Sequence, residues 1–228
     1  MMQISIIIPV LNEVSWVIQT LTALQPLRKV GHEVIVVDGG SDDQTMSLSK
    51  PLADKAIQSP QGRGRQMNAG AKSSSGDILL FLHADTFLPK DADRLIIGGI
   101  ESRKGDWGHF DVKFSGKHLL LRITELLMNL RSRMSQIATG DQAIFVKREI
   151  FEAIGGFPEM DLMEDIALSK ILKRSRRPIC LWQRVLTSSR RWETKGFFRT
   201  ILLMWLLRIA YFFKADPKRL VRLYYPTG

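Results

Sequence analysis

A single cysteine, Cys180, stands among 228 residues, so no disulfide can form within the chain and a reducing compartment suits it. Long uninterrupted apolar runs are lacking. The one at the N-terminus is short and broken by Pro9, with no basic stretch before it, so it reads as a strand rather than a signal peptide. A cytosolic site of action is expected. There is no internal repeat and no low-complexity segment, which excludes solenoid, fibrous and disordered classes. Acid is scarce toward the C-terminus: from Lys170 onward there are 15 Lys/Arg against 2 Asp/Glu, whereas the preceding residues carry 18 against 21. The net charge of +10 is therefore a C-terminal property, suited to phosphates or an anionic membrane surface, or equally to a solvated face that keeps the protein in solution. No aromatic-interleaved basic patch accompanies it, so nucleic acid is not expected as a partner.

What is present is a set of apolar runs that end in acids. Ile78-Leu79-Leu80-Phe81-Leu82 is followed at once by His83-Ala84-Asp85, and Glu33-Val34-Ile35-Val36-Val37 by Asp38-Gly39-Gly40-Ser41. With Met2 to Val10 these read as strands buried on both faces, separated by helical segments such as Val14 to Leu24, with Asn12 as its cap. Strand and helix alternating in this way predict a parallel, doubly wound α/β sheet, on one large domain. Asp38 and Asp85 then fall on the carboxyl edge, where open sheets bind ligands. Arg63 and Arg65 lie in a glycine loop between them. Carboxylates can accept from a base or ribose or hold a divalent cation, and arginines with loop amides can clamp a pyrophosphate, so the set describes a nucleotide site. Each residue alone could equally be a turn residue.

The second half is less regular. Trp107 to Phe114 and Gln142 to Val146 read as strands, and Leu119 to Met134 as a helix. A further helix starts at Met163-Glu164-Asp165, with acids in its first turn and bases in its last. Adjacent helical residues are about 100° apart, so one of Glu164 and Asp165 is expected to act as a general base and the other to support it.

Taken in order, Ile6-Ile7-Ile8-Pro9-Val10-Leu11-Asn12-Glu13, Val36-Val37-Asp38-Gly39-Gly40-Ser41-Asp42-Asp43-Gln44-Thr45, His83-Ala84-Asp85 and Met163-Glu164-Asp165 resemble the motifs of family 2 glycosyltransferases with the GT-A fold. More narrowly, Gly64 to Gly70, Ala138 to Phe145 and Arg190-Arg191-Trp192 resemble a small bacterial subgroup associated with arsenosugar biosynthesis. The resemblance implies a GT-A catalytic domain over 1–192, with a donor half at 1–115 and an acceptor half at 116–192. A basic, apolar helical extension would occupy 193–228. It implies a nucleotide-diphosphate sugar as donor, with Pro9, Leu11, Glu13 and Asp38 around the nucleoside. Arg63, Arg65, Asn68, Ala84 and Asp85 are counted with the same donor site. Asp85 would hold Mn²⁺ or Mg²⁺ on the diphosphate, and His83, at the first position of the metal motif, would be its second ligand. Asp165, with Glu164 beside it, would deprotonate the acceptor hydroxyl with inversion at the sugar. Asp141, Arg191 and Trp192 would wall the acceptor, a small molecule or a lipid-linked one. Ser188 stands where processive members carry Gln, which implies a single addition.

Gly196 to Phe213 is apolar nearly all round and too short and too charged for a span. It reads either as a helix packed on the core or a homodimer interface, or as an interfacial helix at the inner face of the membrane. Two rival readings stand beside the transferase. A sugar nucleotidyltransferase would want a glycine-rich phosphate loop after the first strand, where this chain has Pro9-Val10-Leu11-Asn12-Glu13. A non-catalytic basic module binding a membrane or polyanion would rest on the C-terminal charge alone.

Overall fold

A computed structural model describes residues 2–103, 105–190 and 192 and, farther on, 196, 200, 202–203, 206–207 and 210. Three strands predicted from apolar runs form its centre: β1 (Ile4–Val10), β2 (Glu33–Asp38) and β4 (Ile78–Phe81), with every residue buried. They pair in parallel, and β3 (Lys55–Gln58) continues the parallel set beyond β2. The sequence reading missed β3 because it is a short, largely exposed edge strand with Ile57 as its only large apolar side chain.

The sheet then changes character. Its order is β3-β2-β1-β4-β7-β6-β8-β5, with β5 (Thr86–Phe87), β6 (Trp107–Phe114), β7 (Phe145–Lys147) and β8 (Ile179–Thr187). β7 is antiparallel to both β4 and β6, β5 is antiparallel to β8, and β6 and β8 are parallel with a bulge at Phe110/Asp111. Four of seven pairings are thus parallel, and the sheet is predominantly but not wholly so. The strand expected at Gln142 to Val146 begins only at Phe145. Gly140–Gln142 is a 3-10 turn and Ala143 turns left-handed at φ 48°.

Helices cover both faces: α1 (Val14–Ala23), α2 (Gln25–Lys29), α3 (Thr45–Ser49), α4 (Arg63–Ser73), α5 (Ala92–Arg103), α6 (Leu119–Ser135), α7 (Arg148–Ala153) and α8 (Glu164–Ser175). Alternate side chains of each strand point to opposite faces, which splits the core in two. Ile6, Ile8, Val34, Val36 and Leu80 pack with Val17 and Leu21 of α1 and Ile96 of α5. Ile7, Ile35, Val37, Leu79 and Phe81 pack with Met67 of α4 and Leu168 and Leu172 of α8. α4 lies so close to the sheet that a Cβ at Gly70 would run into Ile7 Cγ2.

Pro9 sits in a central strand without cost, because the last β1–β4 pair is Ile7↔Phe81 and the ladder on that side has ended. Asn12 is not the cap of α1. The N-cap is Glu13, Asn12 turns at φ 53°, and the Val14 N–H is taken by Asp43 at 3.3 Å.

Among the described residues of the C-terminal segment, Leu203, Leu207 and Ala210 pack on Ile137, Leu162, Met163 and Ile166. Leu202 and Leu206 are exposed. No helix among the described residues is long and apolar enough to cross a membrane.

Candidate active site

The carboxyl ends of β1 and β2 are tied into one platform by side chains of the loops that leave them. Asp38 ends β2 fully buried, and its carboxylate accepts from the Gly40 and Ser41 N–H groups and the Ser41 hydroxyl. Ser41 Oγ in turn accepts from Asn12 N at 2.9 Å, and Thr45 Oγ1 from Glu13 N at 2.9 Å. Asn12 Oδ1 accepts from Asp42 N at 3.1 Å. Gln66 of α4 reaches in from below and donates to Val10 O and Val37 O, each at 2.8 Å. A buried amide that satisfies two strand-end carbonyls fixes the spacing between the strands. Sequence reasoning gave Gln66 no role beyond its place in the Gly64-to-Gly70 motif.

Two groups of charged residues stand on this platform. In the first, Glu13 faces Arg190, whose Nη2 lies 3.5 Å from Glu13 Oε2. Burial raises the Glu13 carboxyl above its ordinary range, opposed by Arg190, while the charge of Asp85 raises it further and Arg63 lowers it. Asp85 lies in the turn after β4, where its carbonyl accepts from Ser188 N at 3.2 Å. The Thr20 hydroxyl donates to the Ala84 carbonyl next to it. Pro9 is buried and Leu11 half-buried at the end of β1.

The second group lines one narrow cleft, with Met67, Phe81, Ile144 and Phe157 as its apolar wall and His83, Gly140, Glu164 and Asp165 as its polar one. Glu164 and Asp165 open α8. Asp165 Oδ2 accepts from the Gly140 N–H and Oδ1 from the Ile166 N–H, both at 2.7 Å. Glu164 is buried and its carboxyl is pushed up to about 7, first by that burial and then by the Asp165 charge; Arg63 and His83 pull the other way. His83 Nδ1 lies 3.3 Å from Asp141 Oδ1, and the ring covers Gly140 so closely that a Cβ there would be 2.5 Å from Nε2. Arg63, the first residue of α4, acts on Glu13 and Glu164 alike, so its charge lies between the two groups.

Other expected residues lie elsewhere or are occupied. Arg65 pairs with Asp161 at 3.5 Å and donates to Gln61 O. Asn68 spends both ends of its amide on the Phe157 backbone, each bond 2.9 Å. Trp192 packs edge-on to Phe114 with ring centres 5.6 Å apart. Beside it an open cleft is lined by Trp16, Ser115, Gly116, Ser188, Ser189 and Arg190. Asp141 thus touches His83 of the first cleft without lining it, and Trp192 does neither; Arg191 lies outside the described residues. Arg190 was quoted only within a motif, and its side chain reaching Glu13 is the contact sequence reasoning missed.

Provision for a metal is limited. Among the described residues no three His, Cys, Asp or Glu side chains gather as a metal cluster. A cation bridging a diphosphate needs only one or two protein carboxylates beside the phosphate oxygens. Asp85 meets that need, and the mutual repulsion of Asp85 and Glu13 is what a cation would relieve.

The model of a family described as glycosyl transferase family 2 matches residues 5–155. The probable glycosyltransferase YdaM of Bacillus subtilis is 29% identical over 191 residues, covering 73% of this chain and 46% of YdaM. The poly(ribitol-phosphate) beta-N-acetylglucosaminyltransferase TarS of Staphylococcus aureus is 30% identical over 100 residues, 40% of this chain and 18% of TarS. The chain therefore spans less than half the length of these curated relatives. The crystal structure of S. aureus TarS 1-349 superposes with a TM-score of 0.67 at 20% identity, covering 82% of this chain and 61% of that one. The mannosyltransferase PcManGT of Pyrobaculum calidifontis, in complex with GDP-Man and Mn²⁺, gives 0.64 at 20% identity, covering 92% and 61%. The fold is the GT-A architecture of these proteins.

Proposed function

Because the chain belongs to glycosyl transferase family 2, we propose that it moves one sugar, with inversion, from a nucleotide-diphosphate donor to an acceptor hydroxyl. The observation that carries this reading is the cleft in which Asp165, Glu164 and His83 meet beside Arg63, at the carboxyl edge of the sheet. Residues 1–192 are taken as the catalytic domain.

On this reading the nucleoside lies over the platform of Pro9, Leu11, Glu13 and Asp38. Arg63 faces the diphosphate, and Arg190, 3.5 Å from Glu13, joins it. Asp85 would hold Mn²⁺ or Mg²⁺, which when bound supplies positive charge to the departing diphosphate. His83 leans on Gly140 and Asp141, so it is a ligand only if its ring leaves that contact. Asp165 takes the proton of the acceptor hydroxyl as that oxygen bonds to the anomeric carbon and the bond to the diphosphate breaks. The Gly140 N–H keeps the Asp165 carboxylate aimed into the cleft. Glu164, with a carboxyl near 7, carries a proton in much of the population at neutral pH, which limits repulsion against its neighbour. Asp141 stands at the acceptor side of the cleft. The acceptor is a small molecule or a lipid-linked one, and a single cysteine, Cys180, fits action in the cytosol, peripheral to the membrane.

The test is thermal-shift binding of UDP, GDP, CDP, ADP and dTDP with Mn²⁺, Mg²⁺ or EDTA, on the wild type and Asp85→Ala. Metal-dependent stabilisation by one nucleotide, absent in Asp85→Ala, is expected. No stabilisation of the wild type by any nucleotide would sink the reading.

A further inference from the structure

Helix α6 is inside out. Its buried side is mainly polar, with Glu125, Asn129 and Ser132 against the sheet beside Leu121, and Met128 half-buried on the core. Its outer side carries Leu119, Ile123, Leu126, Leu127, Leu130 and Met134, each between 47% and 75% exposed. These recur at helical spacing and make one stripe.

The inversion has a cause in the sheet. β6 pairs with β8 through Thr187, but with β7 only at Trp107 and Gly108. The remaining edge of β6 would bury unpaired backbone groups, and α6 satisfies them with side chains. Asn129 exchanges two hydrogen bonds with Val112, at 2.8 and 3.0 Å. Glu125 accepts from Phe114 N, and Arg122 donates to Phe114 O. With its polar face spent on the strand edge, the helix has only the apolar face left to present outward. That leaves a contiguous apolar surface of the kind that marks an interaction site.

The surroundings say what the stripe meets. From Lys113 to Gln136 the one acid is Glu125, which is buried and paired with Arg122 at 3.0 Å. The rim is cationic at Lys113 and Lys117, both exposed; Arg133, stacked 3.5 Å over the exposed Trp182 ring, is already paired with Asp111 at 2.9 Å. A second copy on a twofold axis would bring cations against cations. The chain's own last stretch, with Lys214, Lys218, Arg219 and Arg222 against Asp216 alone, is basic as well. An anionic lipid surface complements both features, taking the apolar side chains at the headgroup boundary and the cations on its phosphates.

We infer that α6 docks the protein on an anionic bilayer, lying in the plane of the membrane with the Leu119-to-Met134 stripe inserted. α6 runs through Gln136 directly to the Gly140-Asp141 turn of the candidate site, so docking brings the acceptor side of the cleft to the lipid surface. The acceptor is then lipid-linked, a deepening that rests on the proposed transfer reaction; the docking itself does not.

The experiment is vesicle flotation of the full chain with phosphatidylcholine alone and with added phosphatidylglycerol, at about 0.1 M salt. The wild type should float with the anionic vesicles only. Leu126→Gln/Leu127→Gln/Leu130→Gln should reduce the bound fraction about tenfold, with an unchanged melting temperature and nucleotide-induced shift. Equal flotation of the wild type and the triple variant would overturn the inference, as would no flotation of the wild type. A wild-type dimer that the triple variant turns to monomer in sedimentation velocity would also overturn it, assigning the stripe to a second copy. Absence of any nucleotide-induced shift in a wild type that floats would count against the transferase reading alone.

Discussion

The backbone N–H of Gly140 donates to Oδ2 of Asp165 at 2.7 Å, joining the loop after α6 to the first turn of α8 across 25 residues of chain. The bond leaves Asp165 facing His83 and Glu164 in one cleft. A carboxylate at a helix start is also favoured by the dipole of the helix. The candidate base is therefore positioned by two backbone groups, Gly140 N–H and Ile166 N–H, neither of which a side-chain substitution removes.

Asp165→Asn keeps the shape of the side chain and removes its capacity to take a proton. Transfer should fall by about 10²–10⁴-fold, while nucleotide affinity by thermal shift stays within a few-fold of wild type. A large loss of nucleotide binding would contradict the role of base.

Glu164 gives a pH signature. Its carboxyl lies at about 7 in the folded protein against an ordinary 4.5, because of burial first and the Asp165 charge second. Between those values the folded state holds a proton that the unfolded state has released, so this group makes stability fall as pH rises from about 4.5 to 7. Glu164→Gln should remove that slope and be the more stable protein above pH 7, by an amount on the order of 1–3 kcal/mol. Melting curves of both proteins across this window check it; parallel profiles would show that the carboxyl does not titrate there.

Gly140→Ala places a Cβ 2.5 Å from His83 Nε2, so the imidazole must move from its seat beside Asp141. Overpacking of this kind costs about 1–3 kcal/mol, and transfer should fall with it. Adding His83→Ala should restore most of the melting temperature. If the double variant is no more stable than Gly140→Ala, the clash is not with His83.

Asn68 belongs to the donor site by motif, yet its amide bridges α4 to the Phe157 backbone with two bonds of 2.9 Å. Asn68→Ala should lower stability by about 1–3 kcal/mol in urea denaturation and leave nucleotide affinity unchanged. Unchanged stability with a tenfold loss of nucleotide affinity would return Asn68 to the donor.

How legible the chain was depended on how local each signal is. Strands buried on both faces announce themselves as unbroken apolar runs, and β1, β2 and β4 were placed by that means. β3 and β8 were not. Lys55–Gln58 is an exposed edge, and in Ile179–Thr187 the exposed Trp182, Gln183 and Arg184 interrupt the alternation where the strand bulges against β6. The carboxyl-edge acids were legible because strand ends are, but their partners were not. Arg190 reaching Glu13, Gln66 spanning Val10 and Val37, and Gly140 holding Asp165 are all contacts between residues far apart in sequence.

By itself the sequence determined the α/β alternation, the acids at the strand ends and the acidic first turn of α8, since each follows from side-chain periodicity and turn chemistry within a few residues. Tertiary structure alone decided which acids share a cleft and which way α6 faces. Read by pattern, Leu119 to Met134 is an amphipathic helix whose leucines belong inside. The unpaired edge of β6 reverses it, because leaving buried backbone groups at Val112 and Phe114 without partners costs more than leaving a leucine stripe exposed.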